Sequence, residues 1–281
     1  MTPPPKPPRE HDLGLEYDLG TLQRRRFLGL FAGAGLAVVA GCSTEDTTNP
    51  GSTSTTATTS STPSASTTTG TTTDVDEIPQ ETAGPYPGDG SNGPNVLTES
   101  GIVRKDITKS FGSASGVAAG VPLTVELTIL DADKDTPLAG AAVYLWHCDA
   151  EGRYSLYSDG VTDENYLRGV QAADANGKVT FTSIFPAAYM GRWPHIHFEV
   201  YSSLTEATAA GKISATSQLA FPEDVCNTVY ATDGYDGSAQ NMQQTSLDDD
   251  NVFGDDDGVH QLATVTGDVT SGYVAKLNVG I

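Results

Sequence analysis

Leu123-Thr124-Val125-Glu126-Leu127-Thr128-Ile129 alternates apolar and polar side chains without interruption. Successive side chains of a strand point to opposite faces, so this stretch reads as a β-strand with one buried face. Similar patterns recur at Ala141 to Cys148, Lys178 to Thr182, His195 to Tyr201 and Tyr273 to Val279. Turn-forming residues such as Asp174-Ala175-Asn176-Gly177 separate them. One short helix is expected, at Leu204 to Ala210, and neither an internal repeat nor a β-α-β alternation is visible. Many short strands with frequent turns predict an all-β fold over residues 76–281: a β-sandwich with long loops and little helix.

Upstream of this texture the chain changes character. Gln23-Arg24-Arg25-Arg26-Phe27-Leu28 resembles a twin-arginine export signal and is followed by an apolar run from Gly29 to Ala40. That run is too short to span a bilayer comfortably and suits the core of a signal peptide. Val39-Ala40-Gly41-Cys42 resembles a bacterial lipobox, whose cysteine becomes a lipidated N-terminus. Residues 1–41 are therefore expected to be a signal peptide, and the mature chain an exported lipoprotein on the outer face of the cytoplasmic membrane. Residues 42–75, from the lipidated Cys42 through a run of Ser and Thr, carry too little apolar surface to offset the entropy of ordering. A flexible coil of that length would hold the domain on the order of 30 Å from its anchor.

The 281-residue chain has 15 Lys and Arg against 36 Asp and Glu, a formal net charge of −21. Such a surplus repels nucleic-acid phosphates and anionic head groups, so neither is an expected partner, and Cys42 is the expected membrane contact. Cys148 and Cys226 can form a disulfide in an oxidising compartment or remain two buried thiols. Asp248-Asp249-Asp250 and Asp255-Asp256-Asp257 match no Ca2+-loop spacing and read as a solvated acidic loop.

Chemistry concentrates around Pro194-His195-Ile196-His197-Phe198-Glu199-Val200. Positions i and i+2 of a strand share a face, so both imidazoles can reach one metal. Alone, that spacing more often describes a polar surface than a metal site. Tyr189 and Arg192 precede it on a loop, and Tyr154 follows another strand end. Two phenolates and two neutral imidazoles form a hard, doubly anionic donor set that favours Fe(III) over Zn(II) or Fe(II). His147 reads as a packed or hydrogen-bonded side chain rather than a further ligand. Tyr86, Tyr144, Tyr157, Tyr166 and Tyr230 are pocket or core candidates.

From about Glu81 onward the chain resembles the intradiol ring-cleavage dioxygenases. The motifs are Leu138-Ala139-Gly140-Ala141 leading to Trp146, Gly152-Arg153-Tyr154, Leu167-Arg168-Gly169, Tyr189-Met190-Gly191-Arg192-Trp193-Pro194-His195-Ile196-His197-Phe198 and Ser217-Gln218-Leu219-Ala220-Phe221. The resemblance implies Tyr154, Tyr189, His195 and His197 as Fe(III) ligands, with Arg192, Tyr189 and Gln218 as catalytic residues. It also implies a catechol-type substrate, O2 and a cis,cis-muconate-type product. Tyr189 would accept a catechol proton and Arg192 would stabilise negative charge developing on the ring. Gln218 would sit beside the substrate and oxygen pocket, which Glu81 to Pro87 would help to line.

Three departures stand out against better-known members. The Ser/Thr-rich linker stands where they carry a helical dimerisation segment, which implies a monomer. Tyr189 and His195 are closely spaced, and Ala220 occupies a position where an aromatic is common. Two rival functions share much of this sequence: a surface module that binds carbohydrate or aromatic polymer, and an iron-scavenging lipoprotein. A tyrosinate–Fe(III) protein is red-brown and a binding module colourless, whereas a scavenger would be coloured without consuming O2.

Overall fold

The computed structural model describes residues 75–281. The segment expected to be an export signal, the expected anchor Cys42 and all but the last residue of the expected linker lie outside the described residues. Leu123, Val125, Leu127 and Ile129 are buried and their alternate neighbours only partly so, as the pattern predicts. They belong to β1 (Pro122–Asp131), which is followed by β2 (Thr136–Pro137), β3 (Ala142–Trp146), β4 (Arg168–Ala172) and β5 (Lys178–Ile184). Next come β6 (His195–Tyr201), α1 (Leu204–Thr208), β7 (Ile213–Ala220), α2 (Glu223–Val229) and α3 (Ser238–Met242). β8 (Thr264–Asp268) and β9 (Gly272–Gly280) close the described chain.

Two sheets result. In one, β1 pairs with β9 in parallel on one edge and with β5 and β2 antiparallel on the other, while β8 flanks β9. In the other, the order is β4-β3-β6-β7, antiparallel throughout. Val143 and Leu145 of β3 and Ile196, Phe198 and Val200 of β6 share one apolar cluster with the inward residues of β1 and β9. The expected β-sandwich with little helix is what forms.

The β3 and β6 strands differ from the half-buried expectation, because every residue in both is buried. Their second face, bearing Ala142, Tyr144, Trp146 and Tyr201, joins a smaller core with Val96, Leu97, Tyr154 and Tyr157. The segment entering the domain and the long β3–β4 loop thus form a cap over this sheet. Its alternating polar residues face that cap rather than solvent. The motif histidines sit on this covered face.

Arg168 fastens the cap. Its side chain is 1% exposed, and Nη1 donates to the Pro87 carbonyl at 2.8 Å and Tyr144 Oη at 3.0 Å. Its Nη2 donates to the Tyr86 and Ser155 carbonyls, both at 2.9 Å, and its Nε to Ser155 Oγ at 3.1 Å. Four of these five hydrogen bonds go to the two segments that compose the cap, and the fifth goes to Tyr144 of β3 in the sheet beneath it.

The helical expectation at Leu204 to Ala210 is met by α1, with Ser203 Oγ capping the Glu206 N–H. Helices α2 and α3 were not expected. The sequence signal for α2 is Pro222 followed by Glu223 and Asp224 in the first turn, whereas α3 is only five residues long and carries no acidic first turn. Cys148 and Cys226 are both buried free thiols, so the disulfide alternative is not adopted.

Replacing Arg168 with Met should take away the guanidinium donors of the Tyr86 and Ser155 carbonyls in the interior, while the Pro87 carbonyl keeps its hydrogen bond from Tyr144 Oη. The expected loss is on the order of 3 kcal/mol or more. Denaturant unfolding measures the loss, and hydrogen exchange should show faster opening over residues 86–97. Wild-type stability in that variant would remove Arg168 from the role of fastener.

Candidate metal centre

Each of the four candidate donors is placed by a different local device. His195 and His197 share the covered face of β6, with His195 paired opposite Ala220 and His197 opposite Gln218 on β7 and Trp146 on β3. Trp146 stacks on the His197 ring at 5.0 Å between centroids and 7° between planes. Gly84 lies on the open side of the same ring with φ +69°, where a Cβ would come 3.3 Å from His197 Cε1. A side chain there would crowd the imidazole, so a glycine suits both the backbone and the close approach.

Tyr154 is delivered by a tight turn after β3. Asp149, 3% exposed, accepts from the Glu151 and Arg153 N–H groups, from Arg153 Nε at 3.0 Å and from Tyr166 Oη at 2.9 Å. Tyr154 packs against Tyr86 at 4.8 Å, and its backbone N–H donates to Ser158 Oγ at 2.9 Å. Tyr189 comes from the β5–β6 loop and is only partly buried, next to the exposed Met190.

These devices bring four atoms together. Tyr154 Oη lies 3.3 Å from Tyr189 Oη, Tyr189 Oη 3.0 Å from His195 Nε2, and His195 Nε2 3.1 Å from His197 Nε2. His195 Nδ1 is 2.5 Å from the Trp193 carbonyl, which can only accept, so Nδ1 carries the proton and Nε2 presents a lone pair. His197 Nδ1 is buried without a protein partner. Arg192 and Gln218, 2% and 0% exposed, adjoin the cluster and are joined by a hydrogen bond from Arg192 Nη2 to Gln218 Oε1 at 2.7 Å.

Burial depresses the His195 affinity for a proton well below the ordinary imidazole range, and Arg192 adds to the effect. His197 is depressed likewise by burial, then by His195 and Arg192. Both are therefore in the neutral, metal-binding form at pH 7. Burial, followed by the neighbouring Tyr189, pushes the Tyr154 phenol well above its usual range. A phenol so deeply withdrawn from water ionises only if a cation replaces the lost solvation. Two neutral imidazoles and two phenols converging on one point fit a hard, highly charged cation such as Fe(III). Among the described residues no group of three or more His, Cys, Asp or Glu side chains has metal-binding geometry.

The remaining expectations divide. His147 is a hydrogen-bonded interior residue as read: Nδ1 donates to the Cys148 carbonyl at 2.7 Å and Nε2 accepts from Ser183 Oγ at 2.7 Å. Tyr144, Tyr157, Tyr166 and Tyr230 are buried, and Tyr86 is partly buried against Tyr154 and Tyr157. Asp250 does not belong to a solvated loop. It is 3% exposed and receives Arg192 Nε at 2.9 Å, while Asp248 and Asp249 beside it are exposed. Only its place in an acidic run is visible in the sequence, and three consecutive aspartates carry no signal that singles out the buried one. A cavity of about 270 Å³ lies beside Asp149, Arg153 and Tyr166, but none of the four donors lines it.

The fold is thus a β-sandwich that gathers two tyrosines and two histidines under a cap. The Dioxygenase_C family model, described as Dioxygenase, matches residues 92–233. A chlorocatechol 1,2-dioxygenase of Rhodococcus opacus is 37% identical over 54 residues, 19% of this chain and 21% of that protein. A second, from Pseudomonas sp. strain P51, is 34% identical over 86 residues, 24% of this chain and 34% of that protein. The matches thus span about a fifth to a third of those relatives' length. An intradiol ring-cleavage dioxygenase structure from Tetranychus urticae superposes with a TM-score of 0.58 at 25% identity, covering 73% of this chain and 94% of that one. The chain belongs to the intradiol ring-cleavage dioxygenase family.

Glu81, 9% exposed at the start of the cap, supplies a pH test of this arrangement. Burial, then Asp255, raises its carboxyl to about 7. The folded state therefore holds a proton that the unfolded state releases near 4.5, and stability falls as pH rises from about 4.5 through 7. Glu81→Gln should raise the melting temperature relative to wild type clearly at pH 8 and much less at pH 5. An equal gain at both values would remove Glu81 titration as the cause.

Proposed function

We propose that this chain binds one Fe(III) through Tyr154, Tyr189, His195 and His197 and uses O2 to cleave a catechol-type ring between its two hydroxyl-bearing carbons, giving a cis,cis-muconate-type diacid. The observation that carries this reading is the convergence of four donor atoms, three of them on buried residues, spaced at 3.0–3.3 Å. Family membership and two relatives named chlorocatechol 1,2-dioxygenase support the substrate class. When bound, Fe(III) would supply Lewis acidity and redox reach, drawing electron density from a chelated catecholate so that the ring becomes reactive toward O2.

The chain's own residues divide the remaining work. Of the two phenols, Tyr189 has room to move, being partly buried beside exposed Met190, whereas Tyr154 is 2% exposed and wedged against Tyr86. Tyr189 Oη is thus the base that takes a proton from an incoming catechol hydroxyl. Tyr154, His195 and His197 hold their positions through packing, the Trp193 carbonyl and the Trp146 stack. Arg192, buried beside the cluster, faces charge that develops on the ring, in a place where water cannot screen it. Gln218 Nε2 donates to the Thr82 carbonyl at 2.9 Å, which leaves Gln218 Oε1 to hold Arg192.

Purified, iron-loaded protein should contain one Fe per chain and show a visible charge-transfer band that moves when catechol is added. Tyr154→Phe or His195→Ala should bleach the band and abolish O2 uptake across a panel of catechol, hydroxyquinol, protocatechuate and chlorocatechol. A colourless protein after iron loading would favour the carbohydrate- or polymer-binding module. A coloured one that consumes no O2 with any catechol would favour the iron-scavenging lipoprotein.

We also propose that the domain works as a monomer outside the cytoplasm, exported through its twin-arginine segment and anchored by lipid on Cys42. The order of the two motifs along the chain supports this. Cys42→Ala should move the protein from the membrane fraction to the soluble fraction with its iron band unchanged. Retention in the membrane fraction would overturn the anchor.

A further inference from the structure

We propose that Asp250 is a positioning residue: its buried carboxylate sets the orientation of Arg192 and fixes Trp193, the residue whose carbonyl holds His195. This rests on the dioxygenase reading above. A carboxylate leaves water without great cost only where donors replace its hydration. Four do so here. Val252 N and Phe253 N donate to Oδ1 at 2.8 and 3.3 Å, so the loop folds around its own carboxylate and fixes it. Arg192 Nε and Trp193 N donate to Oδ2 at 2.9 and 2.6 Å, so both outward contacts reach adjacent residues on the loop entering β6.

Each of those two contacts leads to the metal centre. Through Arg192, the carboxylate grips the guanidinium at Nε while Gln218 Oε1 grips it at Nη2, 2.7 Å away. Gln218 is itself tied to the Thr82 carbonyl, so the guanidinium plane is held at two separate points and its rotation is blocked. Through Trp193, the same oxygen accepts the residue's N–H while its carbonyl takes the proton of His195 Nδ1. One carboxylate therefore governs where Arg192 points and supports the tautomer that leaves the His195 Nε2 lone pair facing the cluster.

The charge matters as much as the geometry. Arg192 and Asp250 are 2% and 0% exposed at their side chains, so each is the other's main counter-charge. A guanidinium left alone would be drawn toward solvent or toward any other acceptor, away from the ring it is placed to stabilise. Small displacements of such a group are costly, about 100-fold in rate for an error near 1 Å.

The test is a double-mutant cycle between Asp250→Asn and Arg192→Leu in the iron-loaded protein, with iron content, the visible band, KM for catechol and kcat measured for each. Asp250→Asn should keep its iron and band and lower kcat on the order of 10- to 100-fold, with KM changed far less. In the Arg192→Leu background the same substitution should lower kcat much less, because the part of its effect that passes through Arg192 is already lost. An undiminished fall there would overturn the proposal. Asp250→Glu keeps the charge and replaces Asp250→Asn in the cycle if that variant fails to fold. Hydrogen exchange of the segment containing Trp193 gives a readout that does not depend on turnover. It should speed up in Asp250→Asn, and unchanged exchange there would overturn the proposal even in a protein that cleaves no catechol. Wild type that consumes no O2 while Asp250→Asn still loosens Trp193 would instead sink the dioxygenase reading and leave the positioning contact standing.

Discussion

A sheet buried on both faces must satisfy every polar group it carries without help from bulk water. That constraint governs the second sheet of this protein. One face of β3 and β6 packs into the sandwich core, and the other is sealed by the entering segment and the β3–β4 loop. Polar residues on the sealed face either find protein partners or stand ready for a ligand. Arg168 takes the first course, whereas His195 and His197, with neutral rings and converging Nε2 atoms, take the second.

The two buried guanidiniums show how such a site is both built and charged. Arg168 is surrounded by neutral acceptors, mostly backbone carbonyls, and serves to join the cap to the sheet. Arg192 meets a carboxylate and an amide, a pairing that holds a positive charge in place beside a centre where anionic phenolates and a catecholate would gather. The first arrangement spends its hydrogen bonds on architecture. The second keeps its charge oriented where low polarity makes electrostatic interactions strong.

The acidity of the chain has an equally local meaning. Most of the acidic loop after α3 is exposed, and its Asp255 adds to burial, the larger cause, in raising the Glu81 carboxyl. One member of the run, Asp250, has turned inward and pairs with Arg192 beside the tyrosine and histidine cluster. A residue's type and its neighbours in sequence are the same in both cases. What differs is the availability of four donors, two of them from a loop nearly sixty residues earlier in the chain.

Local pattern and motif were enough to give the class of fold and to name the four residues proposed as donors. Period-2 alternation is a local property, so Leu123 to Ile129 announces a strand whatever surrounds it, and His195 and His197 share a face on any strand that contains both. The cap motifs and Tyr154 were legible through resemblance to a family. Tertiary structure decided which face of β6 is wet, and that face proved to be covered, because the cap that seals it comes from residues as distant as Pro87 and Tyr157. It also decided that Cys148 and Cys226 stay apart as thiols and that Asp250, not Asp248 or Asp249, is buried. These outcomes depend on contacts between segments far apart in the chain, and no local periodicity encodes the distance between two loops.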